Sequence, residues 1–182
     1  YGLGSDLEKG TIQTLFSYPL KRYAILSAKL LSALGVAALL LVGVQTFAFS
    51  VLAPALILRN WSIFLLTFIA ILEYPFFLAA IVLFVTLKIR RGGLALVSGI
   101  VVYFAAGIFS LFVTRSAYFG DLTALKIIAL INPSHMLVAY YYSIAGWKPI
   151  FTEVLIYIGI GYSIVTFLFF LSYLYFCKRL NL

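Results

Sequence analysis

The chain has one cysteine, one histidine and one methionine among its 182 residues, and only five acidic side chains. The lone Cys177 excludes an intrachain disulfide framework and any cysteine-rich metal site. The lone His135 excludes, within one chain, both two-histidine haem ligation and a histidine metal triad. Charged residues make up 10% of the sequence, far below the roughly 25% of soluble domains. That is too few to clothe a water-facing surface, so a soluble globular domain is excluded. No Gly-x-Ser-x-Gly elbow and no paired His and Cys arrangement supplies a nucleophile. The stretch from Gly4 to Thr11 has residue types of a phosphate loop, but Lys9 and Gly10 stand in the wrong order and no strand precedes them. Nucleotide binding by this chain is therefore not expected.

What the sequence has in abundance is apolar surface: 65% of residues are hydrophobic, and the mean hydropathy is +1.16. With 17 Phe and 13 Tyr as well, it is the opposite of a disordered composition. The remaining class is an all-α integral membrane protein. A helix needs about 20 apolar residues to cross a bilayer, and four runs reach that length, at 30–58, 61–87, 94–113 and 150–177. Gly92 and Gly93 are expected to make the tight reversal between the second and third. Glycines inside the runs, Gly35, Gly43, Gly99, Gly107, Gly159 and Gly161, are expected to let helices pack closely.

The formal net charge of +8 does not point to nucleic acid, because the bases cluster at the ends of apolar runs. Lys9, Lys21, Arg22, Lys29, Lys88, Arg90, Arg91, Lys178 and Arg179 fall on one side of a four-span arrangement. Arg59, Arg115, Lys126 and Lys148 fall on the other. Basic residues are retained in the cytoplasm, so both ends of this chain are expected there. The stretch 115–149 is then external but not polar. Its two apolar pieces, either side of Asn132-Pro133-Ser134-His135, are each too short to cross, so two short helices dipping into or lying on the outer interface are expected, broken at Asn132-Pro133. Tyr140, Tyr141, Tyr142 and Trp147 suit the headgroup level, and His135 suits a capping or interface role.

Two features invite a functional reading. Glu73 lies mid-span, where an ionised carboxylate costs a few kcal/mol unless it meets a partner or water; it is expected to face the bundle interior. With Pro75 two residues on, Glu73-Tyr74-Pro75 lines either a wet translocation path or a structural carboxylate site bonded to neighbouring hydroxyls. The first 29 residues are polar enough to stay out of the bilayer. Ser5-Asp6-Leu7-Glu8 has capping-box spacing, and Ile12, Leu15 and Phe16 share one helical face until Pro19 disfavours helix at Tyr18.

That segment, Glu8-Lys9-Gly10-Thr11-Ile12-Gln13-Thr14-Leu15-Phe16-Ser17-Tyr18-Pro19-Leu20-Lys21-Arg22 continuing to Lys29, resembles the one before the third span of ABC-2 type transporter permeases. Gln13 stands where many relatives carry Glu, and Ala28 where Gly commonly precedes the Lys. The resemblance covers nearly the whole chain and implies the last four spans of a six-span permease in an N-terminally truncated copy, with re-entrant helices before the final span. It also implies a role. Glu8, Gly10, Thr11, Ile12, Leu15, Phe16, Pro19, Arg22 and Lys29 would form a cytoplasmic coupling segment seated on a separate ATP-hydrolysing subunit, which would hold ATP-Mg. A second permease subunit, homo- or heterodimeric, would complete an exporter in the plasma or inner membrane, and this chain would itself bind no cofactor or metal and catalyse nothing. The alternatives are a small membrane-embedded enzyme or redox subunit using Glu73, or a passive channel or scaffold.

Overall fold

The computed structural model describes Ser5, Lys9, Pro54 and residues 22–52, 61–120 and 122–179. These residues form six helices: α1 (Arg22–Leu52), α2 (Trp61–Ile89), α3 (Gly92–Ala117), α4 (Leu122–Ala129), α5 (Ser134–Tyr142) and α6 (Phe151–Arg179). Four of them contain stretches long and apolar enough to cross a membrane, Ala24–Ala48, Phe64–Ile89, Leu96–Ala117 and Phe151–Lys178. Large apolar side chains stand exposed along them, among them Leu31, Phe47 and Phe112 at 78%, 72% and 65%. Contiguous apolar surface of this extent is untenable in water, whereas a helix satisfies its own backbone in lipid. The chain is a multi-pass membrane protein.

The helix boundaries follow local chemistry more than hydropathy. α1 begins at Arg22, so Lys29 lies two turns inside a continuous helix, half-buried. The reversal between α2 and α3 is made by Arg90, with φ of 58°, whose N–H donates to the Thr86 carbonyl at 2.9 Å. This is the left-handed cap that usually takes glycine. Gly92 and Gly93 instead open α3. At its far end α3 unwinds through three successive tight bonds, Tyr118 to Arg115, Phe119 to Ser116 and Gly120 to Ala117.

The described helices gather into two compact bodies. The first holds helical residues up to Ala33, Phe76–Ile108 and the chain from Ile164. Its core is Leu26, Leu83, Leu87 and Phe176, and there a Cβ on Gly99 would lie 3.2 Å from Val82. The second holds Leu34–Pro75 and Phe109–Ser163. In it α4 and α5 form a hairpin that packs on three long helices. Ala129, Met136 and Leu137 meet Leu66 and Ala70 of α2 and Val154 and Ile158 of α6. Leu125, Ile128 and Ala139 meet Val113 and Ala117 of α3.

Candidate functional site: a carboxyl and a short hairpin in the second body

The hairpin is built by its turn. α4 closes through Leu130, Ile131 and Asn132 N–H groups donating to carbonyls of Ile127 and Ile128. Asn132 Oδ1 then accepts from the Ser134 N–H at 3.3 Å and from the Ser134 hydroxyl, while Pro133, with φ of −67°, starts α5. A proline at a helix start loses nothing, because its missing N–H would be an orphan there. α5 ends at Ser143, and a two-residue turn follows: Ile144 and Trp147 exchange backbone bonds at 3.1 and 2.8 Å. Both central residues, Ala145 and Gly146, have positive φ, as a type I′ turn requires. Lys126 Nζ stands 5.7 Å from the centre of the Trp147 ring, within cation–π range. The start of α6 is fixed by Glu153, whose carboxylate accepts the Ile150 N–H at 3.1 Å; this is the reciprocal half of a capping box.

Helices of this length, 8 and 9 residues, rise only ~12–14 Å, too short to cross a bilayer. The turn comes to Gly161 on α6: a Cβ there would lie 2.6 Å from the Leu130 carbonyl oxygen. Gly161 is ~15 Å along the helix axis from Phe151, about half the thickness of a hydrocarbon core. The same imaginary Cβ would collide with the Glu73 carboxyl of α2. Glycine is required at this position because the carboxyl and the carbonyl both fill the space a side chain needs.

Glu73 is fully buried, and neither of its oxygens has a hydrogen-bond partner among the described residues. Beside Gly161, Tyr162 donates its hydroxyl to the Ile69 carbonyl at 2.7 Å, joining α6 to α2 one turn before Glu73. Pro75 lies inside α2, half-buried, and its ring displaces the bond to the carbonyl of Ile71. On the other side of the hairpin, His135 Nε2 lies 2.6 Å from the Ser110 hydroxyl of α3. Burial holds the His135 imidazole below its ordinary value of 6.5, favouring the neutral ring. A neutral imidazole on a serine has the parts of a nucleophile and its base. The contact ties α5 of the hairpin to α3.

Of the residues singled out in the sequence, the structure brings together Glu73 and the hairpin containing Asn132 and Pro133, through Gly161 and Leu130, and sets His135 of α5 against Ser110 of α3. Lys29 and the backbone of Arg22 belong to α1. Glu8, Gly10, Thr11, Ile12, Leu15, Phe16 and Pro19 lie outside the described residues; in that segment the Lys9 N–H donates to the carbonyl of Ser5, the capping-box serine, at 2.9 Å. Sequence reading missed Ser110, Tyr162 and the Leu130 carbonyl. Ser110 and Tyr162 are each one of several hydroxyl side chains in their spans, so nothing in the sequence sets them apart, and nothing local marks the third. Comparison with family models, curated proteins and solved structures finds no match for this chain.

Proposed function

We propose that the chain is the membrane-spanning permease subunit of an ABC-2 type exporter, dimerising in the plasma or inner membrane and driven by ATP hydrolysis on a separate cytoplasmic subunit. The observation that carries the reading is the α4–α5 hairpin, two short helices ahead of the final span, seated against α2, α3 and α6. This is what the resemblance of the segment from Glu8 to Arg22 implies for that part of the chain. In this reading both ends are cytoplasmic, and the hairpin re-enters from the outer side. The face of Ile12, Leu15 and Phe16 sits in a cleft of the ATPase, with Glu8 and Arg22 as rim charges that set register. Packed helices shift as units between discrete arrangements, so a helix joined to α1 through Pro19 passes a rotation of the ATPase into the bundle. ATP-Mg belongs to the partner, and this chain contributes no catalytic group.

The test is co-purification of the full chain with an ATP-binding cassette subunit, followed by nucleotide-driven transport in vesicles. Leu15→Asp with Phe16→Asp is expected to abolish both association and transport. If both survive, the coupling assignment fails. If activity persists in the purified chain with no ATPase present, the enzyme or channel alternative takes its place.

A further inference from the structure

Glu73 and the Leu130 carbonyl are two polar groups brought to one point in an apolar interior. The carbon of the Glu73 carboxyl and the oxygen of Leu130 lie 2.5 and 2.6 Å from the position of a Cβ on Gly161, so both border the same small space beside that glycine. No donor among the described residues reaches either Glu73 oxygen. No backbone N–H among the described residues donates to Leu130, which sits just past the end of α4, where helix carbonyls have no partner within the helix. Two acceptors facing one another in the dark of a bundle lack one thing, a hydrogen between them.

We propose that this pair is a proton-binding site. Glu73 carries a proton and donates it to the Leu130 oxygen, latching α2 to the α4–α5 turn across Gly161, and loss of that proton to water leaves a carboxylate facing a carbonyl and releases the turn. A proton fits the site better than a metal ion, because hard cations require six or more oxygen ligands and Gly161 is already filled by the two groups. The titratable neighbours do not compete for it. Tyr162 of α6 has its hydroxyl on Ile69, His135 of α5 has Nε2 on Ser110, and no charged group is paired with the carboxyl. Tyr74, adjacent on α2, is itself engaged. Unwound carbonyls at broken helices are a recurrent place for protons and ions in membrane proteins. The inference stands without the exporter reading, since it uses only α2, α6 and the hairpin.

The experiment uses the full chain in lipid vesicles for infrared spectroscopy, and in detergent for labelling. At neutral pH ordinary carboxyls are ionised, so a carboxylic-acid C=O band in the unaltered chain, absent from Glu73→Gln, is the expected result. For the latch, Ile131→Cys in a Cys177→Ser background is labelled with a water-soluble maleimide across pH, and each rate is divided by that of the same protein carrying Glu73→Gln, which cancels the titration of the thiol. The quotient is expected to climb with pH by as much as about tenfold per unit, as linkage to one proton allows. A neutral-pH spectrum with no acid band overturns the proton site. A quotient that stays flat across pH overturns the latch.

Discussion

Ser110 and His135 touch, with Oγ and Nε2 2.6 Å apart, although one belongs to a long helix and the other to the first turn of a short one. The bond ties the hairpin to α3 near its tip, where apolar packing is supplied mainly by Ala139, Ile128 and Leu125. A hydrogen bond is worth about 1 kcal/mol net, and Ser110→Ala is expected to lower stability by about that amount in detergent unfolding. Fluorophosphonate probes are expected not to label Ser110, because its imidazole lacks an orienting carboxylate among the described residues.

The same pair sets a pH dependence. Burial lowers the folded-state value of His135 below 6.5, so below that pH the unfolded chain takes up more protons than the folded one. Stability is therefore full above pH 6.5 and falls as the pH drops toward the lowered folded value. Unfolding midpoints measured between pH 7.5 and 5, about the range in which histidine titrates, are expected to decline in the unaltered protein and to decline less in His135→Gln. Equal slopes in the two proteins would assign the pH dependence to other groups.

Gly159 and Gly161 separate packing from permissiveness within one turn of α6. Nothing lies within 4 Å of a Cβ on Gly159, while one on Gly161 meets the Glu73 carboxyl and the Leu130 carbonyl. Gly159→Ala is expected to be neutral or to gain up to ~1 kcal/mol from reduced chain entropy. Gly161→Ala is expected to cost about 1–3 kcal/mol by overpacking, with backbone as well as side chain in its way. Thermal unfolding of the two variants side by side checks the contrast.

The four spans were legible because lipid demands long, self-satisfied apolar helices, and length of run is a one-dimensional property. The break at Asn132-Pro133 was legible for a local reason, since Asn-Pro-Ser carries turn chemistry and proline disfavours helix in the residue before it, whereas Pro75 sits inside the long α2 without ending it. Where α1 starts was not. Arg22, Ser27 and Lys29 interrupt hydropathy without interrupting helix, so the apolar run beginning at residue 30 marks where lipid suits the chain better than where the backbone coils. Nor was the site legible. The cost of an unpartnered carboxylate says that Glu73 faces inward, but its neighbours Gly161 and Leu130 are remote in sequence, and a backbone carbonyl leaves no mark in a string of side chains.

Tyr162 ties α6 to α2 beside that carboxyl, its hydroxyl donating to the Ile69 carbonyl at 2.7 Å. Tyr162→Phe keeps the ring and removes the bond, and a loss of about 1 kcal/mol is expected. A variant as stable as the parent would mean that Ile69 is served by its own helix alone.

Arg90 offers the last contrast. Its φ of 58° is a conformation that costs most L-residues roughly 1–2 kcal/mol, and it ends α2 with a bond to Thr86 that glycine makes equally well. Arg90→Gly removes that cost but adds freedom to the unfolded chain, worth about 0.5–1 kcal/mol in the other direction. The balance is a gain of up to ~1.5 kcal/mol, read as a higher unfolding midpoint. Arg90→Val places a branched side chain in the same conformation and is expected to destabilise. Gly93→Ala is expected to change little, since a Cβ there meets open space and the residue sits inside α3. If instead Gly93→Ala is the damaging substitution and Arg90→Gly is neutral, the glycines make the reversal and the left-handed cap at Arg90 is wrong.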